Sequence, residues 1–317
     1  MKKRNLGKSG LTITPIVFGG NVFGWTLDER ASFEVLDAFV DLGFNAIDTS
    51  NQYSHWVPGN NGGESETIIG NWQHKNRNRD RLVLMTKVGG IFADNPSPNS
   101  SYAHIMQQVE ASLKRLQTDY IDVYQTHFDD EVTPVEETLR AYEELVKSGK
   151  VRFIGASNIS AQRLQESLTT SDTLNLARYQ TLQPEYNLYS RAKFEQEYKA
   201  IAQDNGLAVL PYYSLASGFL TGKYQQASDF SKSPRGEKVK SAYWNERGER
   251  IIKALTYLAD ELKTTPAAVA LAWLLAQPAV TAPIASATKL AHLDPFMDAL
   301  DLELGAEAIL LLQEASK

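Results

Sequence analysis

The stretches FNAIDTSNQY (44–53), RLVLMTK (81–87) and YIDVYQTH (120–127) each run apolar for about the length of a strand and then meet residues that carry chemistry. Asp48 and Tyr53 close the first, Lys87 the second and His127 the third. Reactive side chains gathered at the carboxyl ends of successive strands point to a parallel barrel, which keeps its chemistry on that face. Working outward, five more runs have strand character: TPIVFG (14–19), RFIGAS (152–157), YQTLQ (179–183), LAVLPY (207–212) and VTAPIA (280–285). Helical-period segments separate them, among them ERASFEVLDAFVDLG (29–43), VEETLRAYEELVKSG (135–149) and PAAVALAWLLA (266–276). The alternation predicts an α/β fold with a parallel sheet, and eight strands predict closure into a (β/α)8 TIM barrel. The strands' near-continuous apolar character fits burial on both faces. Asp28 and Thr133 are the expected helix N-caps, and Gly43 and Gly149 stand where helices should stop.

Composition narrows the function classes. A chain of 317 residues that is 43% hydrophobic can bury a large core, and one barrel domain spanning 1–317 accounts for it. The formal charge of −6 and the absence of a dominant Lys/Arg cluster argue against a nucleic-acid partner. With no cysteine, disulfides, thiolate nucleophiles and Cys-ligated zinc are excluded, and the five histidines show no metal-binding spacing. The N-terminal MKKRNLGKSGLTITPIVFGG lacks the apolar core of a signal peptide, so a soluble cytoplasmic protein with no membrane partner is expected.

Three segments exceed the minimal repeat. Residues 1–13 read as a hairpin capping the N-terminal mouth of the barrel. SHWVPGNNGGE (54–64) is expected to wall one side of a pocket. TGKYQQASDFSKSPRGEKVKSAYWNERGE (221–249), a long polar stretch containing Pro234-Arg235-Gly236, reads as a lid or a solvent loop. Further helices are expected toward the C-terminus.

GESETIIG (63–70), ASLKRLQTDYIDVYQTH (111–127) and GKVRFIGASN (149–158) resemble three motif blocks of the aldo-keto reductase family, in the family's order. The resemblance covers essentially the whole chain and is to the short-loop, NADP-dependent bacterial members related to potassium-channel beta subunits. It implies that Asp48, Tyr53, Lys87 and His127 are the catalytic tetrad. Tyr53 would supply the proton for carbonyl reduction, its pKa lowered by the Lys87 ammonium, with Asp48 keeping Lys87 charged and His127 donating to the substrate oxygen.

The same resemblance implies a nicotinamide site. Ser157, Asn158 and Gln183 would bind the carboxamide, and Tyr212 would stack beneath the ring. Gly20 and Asn21, beside Gly19, match the loop near the nicotinamide ribose. Leu215, Ser217, Gly218, Leu220, Gly222 and Lys223 match the stretch whose backbone wraps the pyrophosphate. IASATKLAHL (284–293) resembles the phosphate clamp, with Lys289 at its basic position and Ser286, Thr288 and His292 beside it. NADPH/NADP+ is therefore the expected cofactor, with NADH possible because Lys289 lacks the fork of an arginine. His292 and Phe296 depart from the usual Gln and Asn. No G-x-G-x-x-G follows a strand, so a Rossmann site has no support. Phe23, Trp25, Trp56 and Phe128, with Val22 and either Tyr243 or Trp244, are the expected walls around a small-molecule aldehyde or ketone, sugars included. Two other readings use the same residues: a nucleotide-binding regulatory subunit with little turnover, and a barrel aldolase with Lys87 as its Schiff-base amine. Relatives of this architecture include monomers and larger assemblies.

Overall fold

Alternate residues along each strand separate the inside of the barrel from its outer surface. The computed structural model describes residues 2–92, 97–232 and 236–317. A short antiparallel hairpin, β1 (Arg4–Asn5) and β2 (Thr12–Ile13), comes first. Eight parallel strands follow: β3 (Val17–Gly19), β4 (Ala46–Asp48), β5 (Val83–Val88), β6 (Ile121–Thr126), β7 (Val151–Ser157), β8 (Tyr179–Gln183), β9 (Ala208–Val209) and β10 (Ile284–Ala285). They pair in the order β10-β3-β4-β5-β6-β7-β8-β9. The ring closes where Val209 bridges Val280, and where the N–H groups of Thr281 and Ile284 donate to the carbonyls of Val209 and Pro211. The TIM barrel expected from the strand count is thus formed.

Helices α1 (Glu29–Asp41), α2 (Glu64–Asn76), α3 (Tyr102–Leu116), α4 (Val135–Lys147), α5 (Ala161–Leu174) and α6 (Lys199–Asn205) follow successive strands from β3 to β8. After β9 come α7 (Gly236–Tyr243), α8 (Glu246–Leu262) and α9 (Pro266–Leu275), and after β10 come α10 (Asp294–Asp301) and α11 (Ala306–Ala315), which packs on α8. Among the described residues, no helix is long and apolar enough to cross a membrane. Asp28 caps α1 by accepting the Ala31 N–H at 2.8 Å. Gly43 and Gly149 sit two residues past the ends of α1 and α4 with φ of 89° and 76°, a region that glycine enters without penalty. Thr133 is not the cap of α4: Pro134 takes that position. The Asp130 carboxylate instead collects the N–H groups of Val132 and Thr133 and the Thr133 hydroxyl.

The barrel interior is layered. Val17, Ala46, Val83, Met85, Val123, Ala208, Leu210, Ala282 and Ile284 fill its lower part, and Leu6 and Ile13 of the hairpin seal the floor. Above them lies a buried polar layer of Asp48, Lys87, Gln125, Thr181 and Gln183. Gly155 makes room for it, because a Cβ there would stand 2.0 Å from Thr181 Oγ1 and 3.0 Å from Gln125 Cγ. Outward-facing residues such as Phe18, Ile47, Leu84, Tyr124 and Ile154 pack beneath the helices.

Motif residues lock neighbouring elements together. Glu66, fully buried on α2, accepts from Thr86 Oγ1 at 2.5 Å and Arg115 Nε at 2.7 Å. A Cβ on Gly70 would stand 2.0 Å from the Arg115 carbonyl oxygen, so α2 and α3 approach closely there. Asp122 accepts the Leu84 N–H and pairs with Arg79 at 2.8 Å and Arg152 at 2.7 Å.

The stretch 221–249 departs from the open loop its polar composition suggests. It holds a 3-10 segment at Ala227–Lys232, all of α7 and the start of α8. Its few apolar side chains pull it down: Tyr224 stacks on Phe230 at 4.5 Å, and Val239 and Tyr243 are buried. Pro234 and Arg235 lie outside the described residues, and Gly236 opens α7.

Leu6→Ala should lower stability by about 3 kcal/mol through the cavity it leaves. Because the floor is at the opposite end from the polar layer, ligand affinity at the top should not change; denaturant melts and a binding titration check both.

Candidate active site

Lys87 organises the site. Its side chain is fully buried at the end of β5, and its three ammonium protons have three acceptors: Asp48 Oδ2 at 2.6 Å, the Thr49 carbonyl at 2.9 Å and Tyr53 OH at 2.8 Å. Asp48 Oδ1 accepts in turn from Gln125 Nε2 at 3.1 Å and Gln183 Nε2 at 3.0 Å. Tyr53 reaches Lys87 because residues 49–57 coil through successive turns after β4 instead of entering α2 directly. Since the phenol oxygen accepts from Lys87, its own proton is left for another acceptor. His127, one residue past β6, completes the group with its ring 5.9 Å from that of Tyr53 and inclined at 78°. All four residues expected at the barrel's end are therefore together.

Burial and charge set their protonation. Burial pushes the Tyr53 phenol above its ordinary value, and the Lys87 charge offsets only part of that rise. The lowering expected from the sequence is outweighed, and Tyr53 is a phenol at neutral pH. Burial alone would pull the Lys87 ammonium down, but the charge of Asp48 and the hydrogen bonds to Asp48 and Tyr53 outweigh it and leave Lys87 above its usual range. His127 is held well below its ordinary value by burial and by the Lys87 charge, so its imidazole is neutral.

Two supporting residues went unremarked in the sequence. Gln125 steadies Asp48, and Ser50 lies 3.0 Å from His127 Nδ1. The period-2 alternation of β6 contains the signal for Gln125, which shares the inward face with Val123 and precedes His127 by two residues.

Around Tyr53 and His127 stand three of the expected aromatic walls. Trp56 meets Tyr53 at 6.3 Å and Trp25 at 5.5 Å, both edge-on, and Phe128 stacks on His127 at 4.6 Å. Trp56 is 42% exposed, an indole left open at the rim. Phe23 is not a wall. It is fully buried and stacks on Phe18 at 5.3 Å, because its side chain turns into the core under α1; Val22 is buried with it. Tyr243 is likewise committed to packing, against Phe219 and Tyr189, and Trp244 packs on Phe230.

The residues expected to hold a dinucleotide line the same end. Ser157 donates to the Gln183 carbonyl at 2.9 Å, Asn158 donates to the His127 carbonyl at 2.8 Å, and Tyr212 OH donates to Asn158 Oδ1 at 2.8 Å. A cavity of about 650 Å³ opens beside Asn158, Gln183 and Tyr212, with Glu185, Arg191 and Ser316 among its walls. Ser286 Oγ lies 2.6 Å from the Gly19 carbonyl and 2.8 Å from Asn21 Oδ1, sharing its one proton between them and tying β10 to the loop after β3. Gly20 lies against the Asp48 carbonyl, 3.0 Å from where its Cβ would stand.

The next stretch has unusual backbone: Tyr213, Ala216, Ser217, Gly218 and Gly222 all have positive φ, three of them without being glycine. Such strain at a loop is associated with ligand sites, where left-handed turns form concavities for anions. Lys223 Nζ lies close to Gly218, and burial, with the charges of Lys289 and Lys223 adding to it, lowers His292. His292 Nδ1 faces the Thr288 N–H at 3.3 Å. Leu215 is half-buried, but the Leu220 side chain is fully buried, so only its backbone is available to a ligand. Phe296 packs edge-on against Phe44 in the core rather than facing this patch. Backbone, cations and glycines together fit a phosphate-bearing dinucleotide.

The neutral state of His127 has a pH consequence. Unfolding exposes an imidazole that takes up a proton below about pH 6.5, whereas the folded site refuses it until much lower pH. Its contribution is therefore fully present above pH 6.5 and is lost as pH falls. His127→Asn should reduce the slope of stability against pH between about pH 6 and 5 by up to roughly 1.4 kcal/mol per unit, measured by denaturant titration across that range.

Comparison with known proteins agrees with this fold. The aldo/keto reductase family model matches residues 15–317. The chain is 34% identical over 320 residues to "Uncharacterized oxidoreductase YrpG" of Bacillus subtilis, covering 99% of this chain and 95% of that protein. It is 34% identical over 316 residues to a "Probable voltage-gated potassium channel subunit beta" of Arabidopsis thaliana (95% and 92% covered). It is 33% identical over 298 residues to "Aldo-keto reductase YhdN" of Bacillus subtilis (91% and 84% covered). With its barrel, its buried Asp-Lys-Tyr-His cluster and a family match across nearly its whole length, the chain belongs to the aldo/keto reductase family.

Proposed function

We propose that the protein reduces small or medium aldehydes and ketones, open-chain sugars among them, to alcohols with NADPH as the preferred cofactor. One observation carries this reading: Lys87 donates to Tyr53 OH, which leaves the phenol proton for an acceptor beside His127. Bound nicotinamide would supply the hydride. Ser157, Asn158, Gln183 and Tyr212 would hold the ring, the 213–223 backbone the pyrophosphate, and Lys289 with Ser286 and Thr288 the 2′-phosphate. Tyr53 donates its proton to the substrate oxygen as negative charge grows there, and the Lys87 ammonium stabilises the phenolate that remains. The raised pKa of Tyr53 favours the protonated form that reduction requires. Trp25, Trp56 and Phe128 give the substrate an aromatic surround suited to an apolar or planar carbonyl.

The Lys87 environment disfavours an aldolase. An amine must lose its proton to attack a carbonyl, and this one is held charged by Asp48 with all three protons in use. A regulatory role draws on the likeness to proteins named as potassium-channel beta subunits. Cofactor binding with no turnover across a panel of aromatic aldehydes, dicarbonyls and open-chain sugars would favour that reading over the reductase.

Tyr53→Phe should lower kcat/KM for reduction on the order of 10³-fold while leaving NADPH affinity within about twofold, because it removes a proton donor and no cofactor contact. Comparable loss of both would contradict the role of Tyr53. Lys289→Ala should weaken NADPH roughly tenfold and NADH hardly at all, as followed by fluorescence titration. Equal effects on the two cofactors would refute the assignment of Lys289 to the 2′-phosphate.

A further inference from the structure

His127 is held from behind by a residue that the four-membered cluster does not include. Ser50 is fully buried in the first turn after β4, and its Oγ lies 3.0 Å from His127 Nδ1. That oxygen already accepts from the Gln52 N–H at 3.3 Å. Its single proton has two acceptors in reach: His127 Nδ1 at 3.0 Å and Asn51 Oδ1 at 3.5 Å. The longer contact is at the limit of a hydrogen bond, and the Asn51 amide is drawn away by donating to Gln108 Oε1 at 3.0 Å. The shorter contact favours directing the proton to Nδ1, which would then carry none of its own.

We infer that Ser50 is a positioning residue that fixes His127 as the Nε2–H tautomer and aims that N–H into the mouth beside Tyr53. On the other side of the ring, Nε2 has no hydrogen-bond partner among the described residues. A carbonyl oxygen seated between the two rings would then meet two donors, Tyr53 O–H and His127 Nε2–H. The opposite tautomer would turn a lone pair toward that oxygen and repel it. With the proton settled on Nε2, His127 is a hydrogen-bond donor rather than a base. The use of that N–H in turnover rests on the reductase reading above; the tautomer itself does not.

The decisive measurement is the ¹⁵N spectrum of the histidine imidazoles, with His127 identified by the signals lost in His127→Asn. The wild type should show an unprotonated Nδ1 and a protonated Nε2. Ser50→Ala should shift His127 toward a mixture of tautomers and lower kcat roughly five- to tenfold, about the worth of one hydrogen bond, with NADPH affinity unchanged. Ser50→Thr, which keeps the hydroxyl, should restore the wild-type spectrum. A wild-type His127 protonated on Nδ1 would overturn the assignment without recourse to any Ser50 variant, and so would a Ser50→Ala spectrum identical to wild type. If the spectrum is as expected but the wild type turns over no carbonyl, the Ser50 assignment stands and the reductase reading falls.

Discussion

An ammonium buried at the end of a barrel strand is the constraint on which the site depends. Removing a lysine from water is costly unless each of its protons finds an acceptor and an opposite charge stands close by. Lys87 has both, in Asp48, the Thr49 carbonyl and Tyr53 OH. The carboxylate that balances it is buried too and needs its own donors, which Gln125 and Gln183 provide from β6 and β8. Gly155 on β7, having no side chain, leaves the room that Thr181 and, less tightly, Gln125 occupy in this layer. One cation thus dictates residue choice on five neighbouring strands.

Below this layer the barrel is apolar and closed, and around it a second set of charges does structural work. Glu66 with Arg115, and Asp122 with Arg79 and Arg152, tie α2 to α3 and bind the starts of β5, β6 and β7 to one another. Apart from Arg79, these residues belong to the same motifs that reveal the family, yet none of them touches the Tyr53 and His127 side chains. Their effect on chemistry is indirect: they hold in register the strands whose far ends carry the reacting groups, where small displacements alter reactivity.

Legibility differed by kind of signal. The eight strands, the hairpin and the cluster of Asp48, Tyr53, Lys87 and His127 were readable because apolar periodicity marks strands and reactive residues stood at their ends. The stops at Gly43 and Gly149 were readable for a local reason, the left-handed backbone they adopt. Misreadings arose where tertiary contacts decide. Phe23 follows a strand that ends at the site, but a local turn sends its ring into the core beside Phe18. The stretch 221–249 looks like solvent-exposed loop by composition, and four aromatic or aliphatic side chains suffice to pack it. The protonation of Tyr53 was beyond sequence because it depends on how burial weighs against one nearby charge. Ser50 and Gln125 lie within the stretches that end in Tyr53 and His127, but a small hydroxyl and an amide say nothing until their partners are known.

The hairpin closes the floor of the barrel beneath the polar layer. Leu6 and Ile13 block the axis below the polar layer, and apolar side chains fill the space between. Among the described residues, these side chains fill the path from the floor to the polar layer beneath Tyr53. In a reductase, the proton given to the substrate is therefore replaced through the same mouth by which the carbonyl arrives and the alcohol departs. Substrate traffic and proton resupply then share one passage, so an inhibitor seated on Trp56 beside Tyr53 would isolate the phenol from solvent protons as well as from substrate.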